Sequence, residues 1–480
     1  NKTESPNGNT VVIGQGAKPK SLDPHMYNSI PDLLVSRQFY NTLFSREKDG
    51  SIKPELAESY EYKNDKELDI ILKKGVKFHD GSELTADDVV FSFERMKDKP
   101  GSSIMVEEID KVEKINDYEV KLFLKNSSSA LLYNLAHPIT SIVNKKYVEA
   151  GNDLSVAPMG TGAFKLIAYN DGEKIELEAF KDYFEGAPKV EKITFRAIPE
   201  DTSMLAALET GEVDIATGMP PVSTQTIEAN DKLELISEPT TATEYICLNV
   251  EKAPFNNKDF RKALNYAIDK KSIIDSIFSG RGKVAKSIVN PNVFGYYDGL
   301  EEYPFNPEKA KELIEKSGVK NASFSLYVND SPVRLQVAQI IQANLKDVGI
   351  KVTLKTVSYE TLLDMRDSGN FDLLIWNVLA ANTGDPEKYL YENWDSESAS
   401  NQAGYKNAKV DELLDKLNVE FDPEKRKELA IEIQQLIMND AATVFFGYET
   451  TFLYSNKKVQ NLKMFPMDYY WLTKDVTVTE

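Results

Sequence analysis

FDLLIWNVLAANTGD, residues 371–385, is the stretch of sequence that decides the fold. Residues 371–381 form a nearly continuous apolar run with β-branched and aromatic members, which predicts a strand buried on both faces of a mainly parallel sheet. The loop-forming residues 382–384 end this run, and Pro386 favours an extended or turn conformation at Asp385. The sequence therefore holds a carboxylate at the exit of a buried strand, where ligands bind in open α/β sheets.

Asp385 has two interpretations that the sequence leaves open. Its carboxylate can face a ligand cation, with Thr383 and Gly384 beside it in the same loop. Alternatively, it caps the helical turn after the strand, which an Asp before Pro-Glu often does.

Aromatic and amide side chains flank this loop along the chain. Trp376 and Asn377 belong to the preceding strand, and Trp394 follows the loop. Aromatic walls hold ligand side chains without demanding one sequence, so these residues are candidate ligand contacts. A core position is the alternative, and the pattern favours it more for Trp376 than for Trp394.

The segment before this stretch alternates strands and helices. The predicted strands are SFSLYV (323–328) and IKVTLKTVS (350–358), and the predicted helices are RLQVAQIIQANLKDVG (334–349) and ETLLDMRDSGN (360–370). This β-α-β-α-β order predicts an α/β fold with a parallel sheet and helices on both of its faces.

Arg334 follows the first of these strands, so we expect it in a loop at the same sheet edge as Asp385. An arginine can hold a carboxylate through two parallel hydrogen bonds, and an aspartate can accept from an ammonium. Such a pair would recognise a zwitterion, and a short peptide is a zwitterion. A surface arginine near a helix start is the alternative interpretation.

Two earlier segments supply further candidates. The irregular loop QGAKPKSLDPHMYNS (15–29) carries Met26 and Tyr27, which line a binding loop or fill the core below a helix. Predicted strands LELISE (233–238) and EYICLNV (244–250) are separated by a polar crossing, where Thr241, Thr243 and Tyr245 could bond a peptide backbone.

Two local patterns fix secondary structure more closely. Thr85 followed by Asp88 resembles a capping box at the start of a helix, with Asp in place of the usual Glu or Gln. Residues 111–123, KVEKINDYEVKLF, alternate about Asn116-Asp117 and predict a hairpin with one solvated face.

Composition limits the partners. The 480 residues carry 57 basic and 76 acidic side chains, a formal charge of −19, which argues against nucleic acid or an anionic membrane surface as partner. Cys247 is the single cysteine, so no intrachain disulfide forms. No apolar run approaches the roughly 18 residues of a membrane span.

Catalytic and metal-binding motifs are missing from the sequence. The three histidines, His25, His79 and His137, are scattered, and no HExxH, GxSxG or Cys-His pair occurs. We therefore expect no catalytic residues, no resident metal and no cofactor. His25, in the loop 15–29, is the one histidine that could join a ligand site.

Several phrases resemble one family along nearly the whole chain and in the family's order. They include KPELAESYEY, LKKGVKFHDGSELTADDVVFSFERM, PMGTGAFK, the GDP loop at 384–386 and NAKVDELLDKLNVEFDPEKRKELAIEIQQLIMNDA. They resemble the extracytoplasmic solute-binding proteins of ABC importers that carry oligopeptides, dipeptides and nickel. In dipeptide binders of that family an Asp in the corresponding loop holds the peptide amine and an Arg holds its carboxylate, which the resemblance carries to Asp385 and, more loosely in register, to Arg334.

The resemblance implies a type II periplasmic-binding-protein-like fold with two hinged lobes and an inserted third subdomain. The expected division is a flexible tether (1–9), lobe I (10–42, 165–249 and 455–480), an inserted subdomain (43–164) and lobe II (250–454). The lobes would close over a short peptide, and the monomeric protein would deliver it to a membrane ABC permease. The location would be extracytoplasmic, either periplasmic or as a lipoprotein that has lost its leader.

Alternatives within the family are a nickel chelate or a glutathione-like ligand. Outside it, a hydrolase would need a nucleophile and a base within hydrogen-bond reach, and a chaperone-like surface protein would bind unfolded chains without a length limit.

Overall fold

The computed structural model describes residues 9–376, 379–380, 382–464 and 474–479. The chain divides into two compact units. The first unit comprises Asn1–Glu238 and Thr451–Glu480, and the second comprises Pro239–Thr450. The division into two lobes and an inserted subdomain stays a prediction.

The N-terminal part of the first unit holds eleven strands and six α-helices among its described residues. Its strands are β1 (Thr10–Gln15), β2 (Phe44–Arg46), β3 (Ile52–Pro54), β4 (Ala57–Asn64), β5 (Glu67–Leu72), β6 (Ile109–Asn116), β7 (Glu119–Leu124), β8 (Phe164–Asn170), β9 (Lys174–Ala179), β10 (Lys192–Ala197) and β11 (Ile215–Thr217). Its helices are α1 (Ile30–Phe39), α2 (Ala86–Lys97), α3 (Leu131–Leu135), α4 (Lys145–Glu149), α5 (Asp201–Thr210) and α6 (Thr224–Glu228).

The remaining elements complete the chain. The strands are β12 (Leu233–Leu248), β13 (Ser323–Asn329), β14 (Lys351–Val357), β15 (Leu373–Ile375), β16 (Leu379–Ala380), β17 (Val444–Asn456), β18 (Val459–Gln460) and β19 (Thr477–Val478). The helices are α7 (Lys258–Ala267), α8 (Lys270–Phe278), α9 (Pro307–Ser317), α10 (Pro332–Asp347), α11 (Tyr359–Ser368), α12 (Glu387–Trp394), α13 (Ala408–Val419) and α14 (Pro423–Asn439).

The first unit contains a mixed sheet and a separate antiparallel sheet. In the mixed sheet, β1 pairs in parallel with β10 and β11, while β9 pairs antiparallel with β10 and β8. The final residues of β17 add an antiparallel strand beside β11. The separate sheet has the order β4-β5-β7-β6, so the predicted hairpin over residues 111–123 is confirmed. Each sheet covers its own apolar core.

The helix α2 begins as the sequence predicts. The Thr85 side chain accepts from the N3 backbone, and the Asp88 side chain accepts from the Thr85 backbone N–H at 2.9 Å. These two bonds satisfy amide donors that have no partner within the helix. The shorter carboxylate of Asp therefore serves where Glu or Gln is usual.

Residues 373–375 of the stretch that opened the sequence analysis form a buried strand in the second unit. Leu373, Leu374 and Ile375 of β15 are at most 2% exposed, which confirms burial on both faces. The sheet is mixed: β15 is parallel to β13 but antiparallel to β12. The reason is that β12 lies outside the β-α-β run and no helical crossover constrains its direction.

Two sequence-based boundaries differ from the structure. The helix α10 begins at Pro332, a residue favoured at the first helical position, so Arg334 lies in its first turn and not in a loop. The predicted break at the polar crossing is also wrong, because β12 runs unbroken over that crossing. Threonine is β-branched and extends a strand readily, although its polarity made the segment resemble a turn.

Candidate ligand-binding site

A cavity of about 260 Å³ lies within the second unit. Three of the predicted ligand contacts, Tyr245, Trp376 and Trp394, line it together. These residues come from β12, from the end of β15 and from α12. Each is at most 6% exposed, so the aromatic rings belong to the core and also form the cavity wall.

Two side chains of opposite charge, Arg366 of α11 and Glu392 of α12, also line this cavity. The guanidinium carbon of Arg366 lies 4.2 Å from the centre of the Trp376 ring, and Tyr359 stacks on that ring at 5.7 Å. Arg366 donates through Nε and Nη2 to Asp367 Oδ1, at 2.9 and 2.7 Å. Stacking on an aromatic face holds the guanidinium in one orientation.

The sequence analysis missed Arg366 and Glu392. Both lie on helices that appeared only as scaffold, and neither follows a strand end. A tryptophan near a cationic residue gives no sequence signal when ten positions of chain and a helix end separate them. Four polar residues also line the cavity: Asn393, Ser400, Gln402 and Thr443.

Asp385 is buried and has two partners inside the protein. Its carboxylate accepts two hydrogen bonds from Arg426, at 2.6 and 3.0 Å, and the two side chains are 1% and 5% exposed. Its Oδ1 also accepts from the backbone N–H of Glu387 at 2.9 Å, which turns the chain into α12. The structure thus contains the hydrogen bond that the turn-forming interpretation requires. A role of Asp385 toward a ligand amine stays a prediction.

The Asp385 carboxylate changes the titration of its neighbour Glu387. Burial raises the pKa of the Glu387 carboxyl to about 7, the negative charge of Asp385 adds to this effect, and Arg426 opposes it. Glu387 therefore binds a proton at a higher pH than an ordinary glutamate does.

Arg334 is engaged by Glu244 of β12. Both guanidinium Nη atoms donate to the Glu244 carboxylate, one of them at 3.2 Å, and the Glu244 side chain is 3% exposed. Burial raises the pKa of Glu244, and the positive charge of Arg334 offsets part of that rise. The structure does not bring Arg334 to the lining of the 260 Å³ cavity, and its role toward a ligand carboxylate stays a prediction.

The other predicted contacts are distributed more widely. Thr243 is buried and donates to the Ile288 carbonyl at 2.8 Å, and Thr241 is buried in the same strand. Thr383 and Gly384 precede α12, where the Gly384 carbonyl accepts from the Phe294 N–H at 2.9 Å. Asn377 lies outside the described residues.

Met26 and Tyr27 lie in the first unit. Met26 is partly buried, and its backbone passes so close to Gly101 that a Cβ there would meet it at 2.7 Å. Tyr27 is 38% exposed, with the Lys20 ammonium 5.3 Å from its ring centre. Their roles as ligand contacts stay predictions.

His25 is held by structural hydrogen bonds. Its Nδ1 accepts from Arg95 at 2.6 Å, and its Nε2 donates to the Ser141 carbonyl at 2.8 Å. Burial lowers the pKa of His25 to about 4. Among the described residues, no cluster of three or more His, Cys, Asp and Glu side chains has an arrangement suited to a metal ion.

Comparison with known families identifies the chain. The family model described as "Bacterial extracellular solute-binding proteins, family 5 Middle" matches residues 51–401. The chain belongs to this family of solute-binding proteins. The predicted family and the predicted periplasmic-binding-protein-like α/β fold of this solute-binding protein are thus confirmed.

Individual relatives cover nearly the whole length of this solute-binding protein. It is 31% identical to the glutathione-binding protein GsiB of Pectobacterium atrosepticum, over 98% of this chain and 94% of that protein. The structure of HbpA2 from Haemophilus parasuis has a TM-score of 0.91 at 26% identity, covering 98% and 100% of the two chains. DppA from Helicobacter pylori, solved with the peptide STSA, has a TM-score of 0.72 at 26% identity, covering 98% of each chain.

Members of this family are extracytoplasmic substrate-binding transport proteins, not enzymes, and deliver peptides or other small ligands to an ABC permease. The predictions of a transport role and of a permease partner are confirmed at this level. Within the described residues, no helix has the length and apolarity that crossing a membrane requires.

Proposed function

We propose that this solute-binding protein captures a short zwitterionic peptide outside the cytoplasm, as a monomer, and that the 260 Å³ cavity takes part of that peptide. The observation that carries the proposal is that four aromatic side chains, those of Tyr245, Trp376, Tyr389 and Trp394, line a single cavity together with one cation and one anion. Aromatic surfaces accept varied side chains, and the charges select the ligand's polar groups.

Arg366 is the proposed partner of a ligand carboxylate. The Asp367 carboxylate occupies its Nε and Nη2, and Nη1 has no hydrogen-bond partner among the described residues. The Trp376 face fixes the guanidinium plane, so little side-chain entropy is lost when a carboxylate binds. A charge-assisted bond of this kind contributes roughly 1.5–3 kcal/mol, which corresponds to about 10- to 150-fold in affinity.

The ligand amine has two proposed partners. Glu392 lines the cavity and offers a carboxylate. Asp385 remains the family-based candidate, although it would have to share its carboxylate between the amine and Arg426. A single carboxylate can accept about four hydrogen bonds, so such sharing is chemically feasible.

Glutathione is the second candidate ligand. The relative GsiB, 31% identical over 98% of the chain, is named as a glutathione-binding protein. Glutathione is itself a tripeptide with an amine, two carboxylates and a thiol, so it would use the same kinds of contact.

The test pairs protein variants with ligand variants. Native mass spectrometry of the protein as purified first identifies a co-purifying mass. Calorimetry then compares Arg366→Met with the wild type, using each peptide as its free acid and as its amide. We expect the variant to lose about 10- to 150-fold for the acid and little for the amide.

The amine end is tested in the same way. Glu392→Gln and Asp385→Asn are each compared on free-amine and N-acetylated peptides, and the residue that binds the amine loses affinity for the free amine alone. The proposed contacts would be contradicted if Arg366→Met lost as much affinity for the amide as for the acid, and if Glu392→Gln and Asp385→Asn each lost as much affinity for the N-acetylated peptide as for the free amine. Binding of glutathione with no measurable binding of unmodified tripeptides would favour the second candidate.

A further inference from the structure

Lys270 is a buried lysine in the second unit, at the first position of α8. The residue is 6% exposed, and its Nζ donates to the Tyr303 carbonyl at 3.3 Å, a long hydrogen bond. The same Nζ lies 5.8 Å from the centre of the Tyr303 ring. Within the described part of the chain, no carboxylate forms an ion pair with it.

Lys270 lines a small cavity that opens to solvent. The cavity has a volume of about 190 Å³ and shares no lining residue with the 260 Å³ cavity. Most of its wall is apolar, supplied by Val284, Ala285, Tyr303, Pro304, Phe305 and Met438. Val284 and Phe305 are 37% and 47% exposed, so part of the apolar wall of the cavity faces solvent.

The charged groups around this cavity leave Lys270 poorly compensated. The negative charge of Glu302 favours the charged form of Lys270, but the Glu302 carboxylate is bound to Lys286 at 2.5 Å. Asp269 accepts from the backbone and hydroxyl of Ser272, and Lys271 pairs with Asp275. Burial therefore lowers the pKa of the Lys270 ammonium to about 8.

We propose that Lys270 is a covalent capture site for small apolar aldehydes, which enter the 190 Å³ cavity and form an imine with its amine. The neutral amine adds its lone pair to the carbonyl carbon, so a C–N bond forms, the C=O π bond breaks, and one proton of the nitrogen moves to the oxygen to give a hydroxyl. The C–O bond then breaks, and the hydroxyl leaves as water with the second proton of the nitrogen, whose lone pair forms the C=N bond. One aldehyde and one amine thus give one imine and one water, with no oxidant or reductant.

The other two lysines of the cavity lack this chemistry. Lys286 is paired with Asp298 at 3.0 Å and with Glu302 at 2.5 Å, and these bonds raise its pKa. The Lys271 side chain is 73% exposed and forms an ion pair with Asp275 at 2.6 Å. Because the pKa of Lys270 is about 8, its amine is neutral at pH 8 far more often than that of a lysine with the ordinary pKa near 10.5.

The test is reductive trapping with butanal and cyanoborohydride at pH 8, followed by peptide mass spectrometry. We expect butylation at Lys270 to exceed that at Lys271 and Lys286 by at least about tenfold. Lys270→Arg keeps a buried cation and should remove this adduct without changing the others. In concentrated guanidinium chloride the preference should vanish.

A bulky aldehyde separates the cavity from the amine. Pyrenecarboxaldehyde is a rigid four-ring molecule that cannot fold to follow the walls of a small cavity, so we expect it to modify Lys271 in preference to Lys270. Equal butylation of the three lysines in the folded protein would overturn the proposal. Preferential modification of Lys270 by the pyrene reagent would also overturn it, because the cavity would then select nothing.

Discussion

Replacing Asp385 with Asn should destabilise the second unit strongly. The change leaves the Arg426 guanidinium without its counter-charge at a site where the two side chains are 5% and 1% exposed. Breaking a buried ion pair by removing one partner costs about 3–5 kcal/mol, since the remaining charge stays desolvated. The amide of Asn can still accept one hydrogen bond, so we expect about 3 kcal/mol.

The measurement is chemical unfolding followed by tryptophan fluorescence. Trp376 and Trp394 both lie in the second unit and report on it directly. The matched control is Asp275→Asn, which removes the same charge from the exposed pair with Lys271. We expect the control to lose less than about 0.5 kcal/mol. A loss below about 1 kcal/mol for Asp385→Asn would refute the reasoning, because it would mean that water reaches Arg426.

Three further predictions concern pH and packing. Glu387→Gln should stabilise the protein above pH 7 by up to about 3 kcal/mol. The folded pKa of Glu387 near 7 exceeds the ordinary 4.5, so the wild-type protein loses stability as pH rises from 4.5 to 7, and the glutamine variant does not. Urea titrations at pH 5 and 8 measure the difference. The first unit should lose stability as pH falls from 6.5 to 4, because burial lowers the pKa values of His25, His79 and His137 to about 4, 4 and 3 and so favours their neutral forms. Hydrogen exchange followed by mass spectrometry measures this loss. Gly162→Ala should cost about 1–3 kcal/mol, because a Cβ there would lie 2.4 Å from the Gln38 carbonyl oxygen; thermal unfolding measures it.

Each of these predictions has its own control. If Glu387→Gln changed stability relative to the wild type by the same amount at pH 5 and at pH 8, that result would contradict the raised pKa of Glu387. For the histidines, equal loss of exchange protection in both units at pH 4 would point to general acid effects. For Gly162→Ala, the comparison is Gly16→Ala, where nothing lies within 4 Å of the added methyl group, and similar losses at both positions would contradict the packing argument.

The sequence predicted the elements whose patterns are local. The ends of α9 carry local signals of this kind, because Pro307 suits the first turn and Gly318 follows the helix in a left-handed conformation with φ of 72°. The capping box of α2 is equally local. Arg334 was misplaced because a helix start depends on which of several adjacent residues takes the first turn, and the sequence alone did not resolve it.

The candidate site was less predictable than the fold. Trp376 and Trp394 were identified because they flank the loop at Asp385, and Tyr245 because it lies at the polar crossing between two predicted strands; all three line one cavity. The partners of Asp385 and Arg334 were not foreseen, since Arg426 and Glu244 are far away in sequence. Pairing between distant charges depends on the packing of whole helices and strands, which no local pattern records.

The order of synthesis affects the two units differently. Residues 239–450 form an uninterrupted stretch, whereas the first unit needs residues 451–480 to be complete. Those last residues pair with β11 and contribute Leu453, Val459, Met464 and Val476 to its apolar core. A growing chain can therefore complete the second unit before the first, because the first unit still needs residues that are synthesised after residue 450.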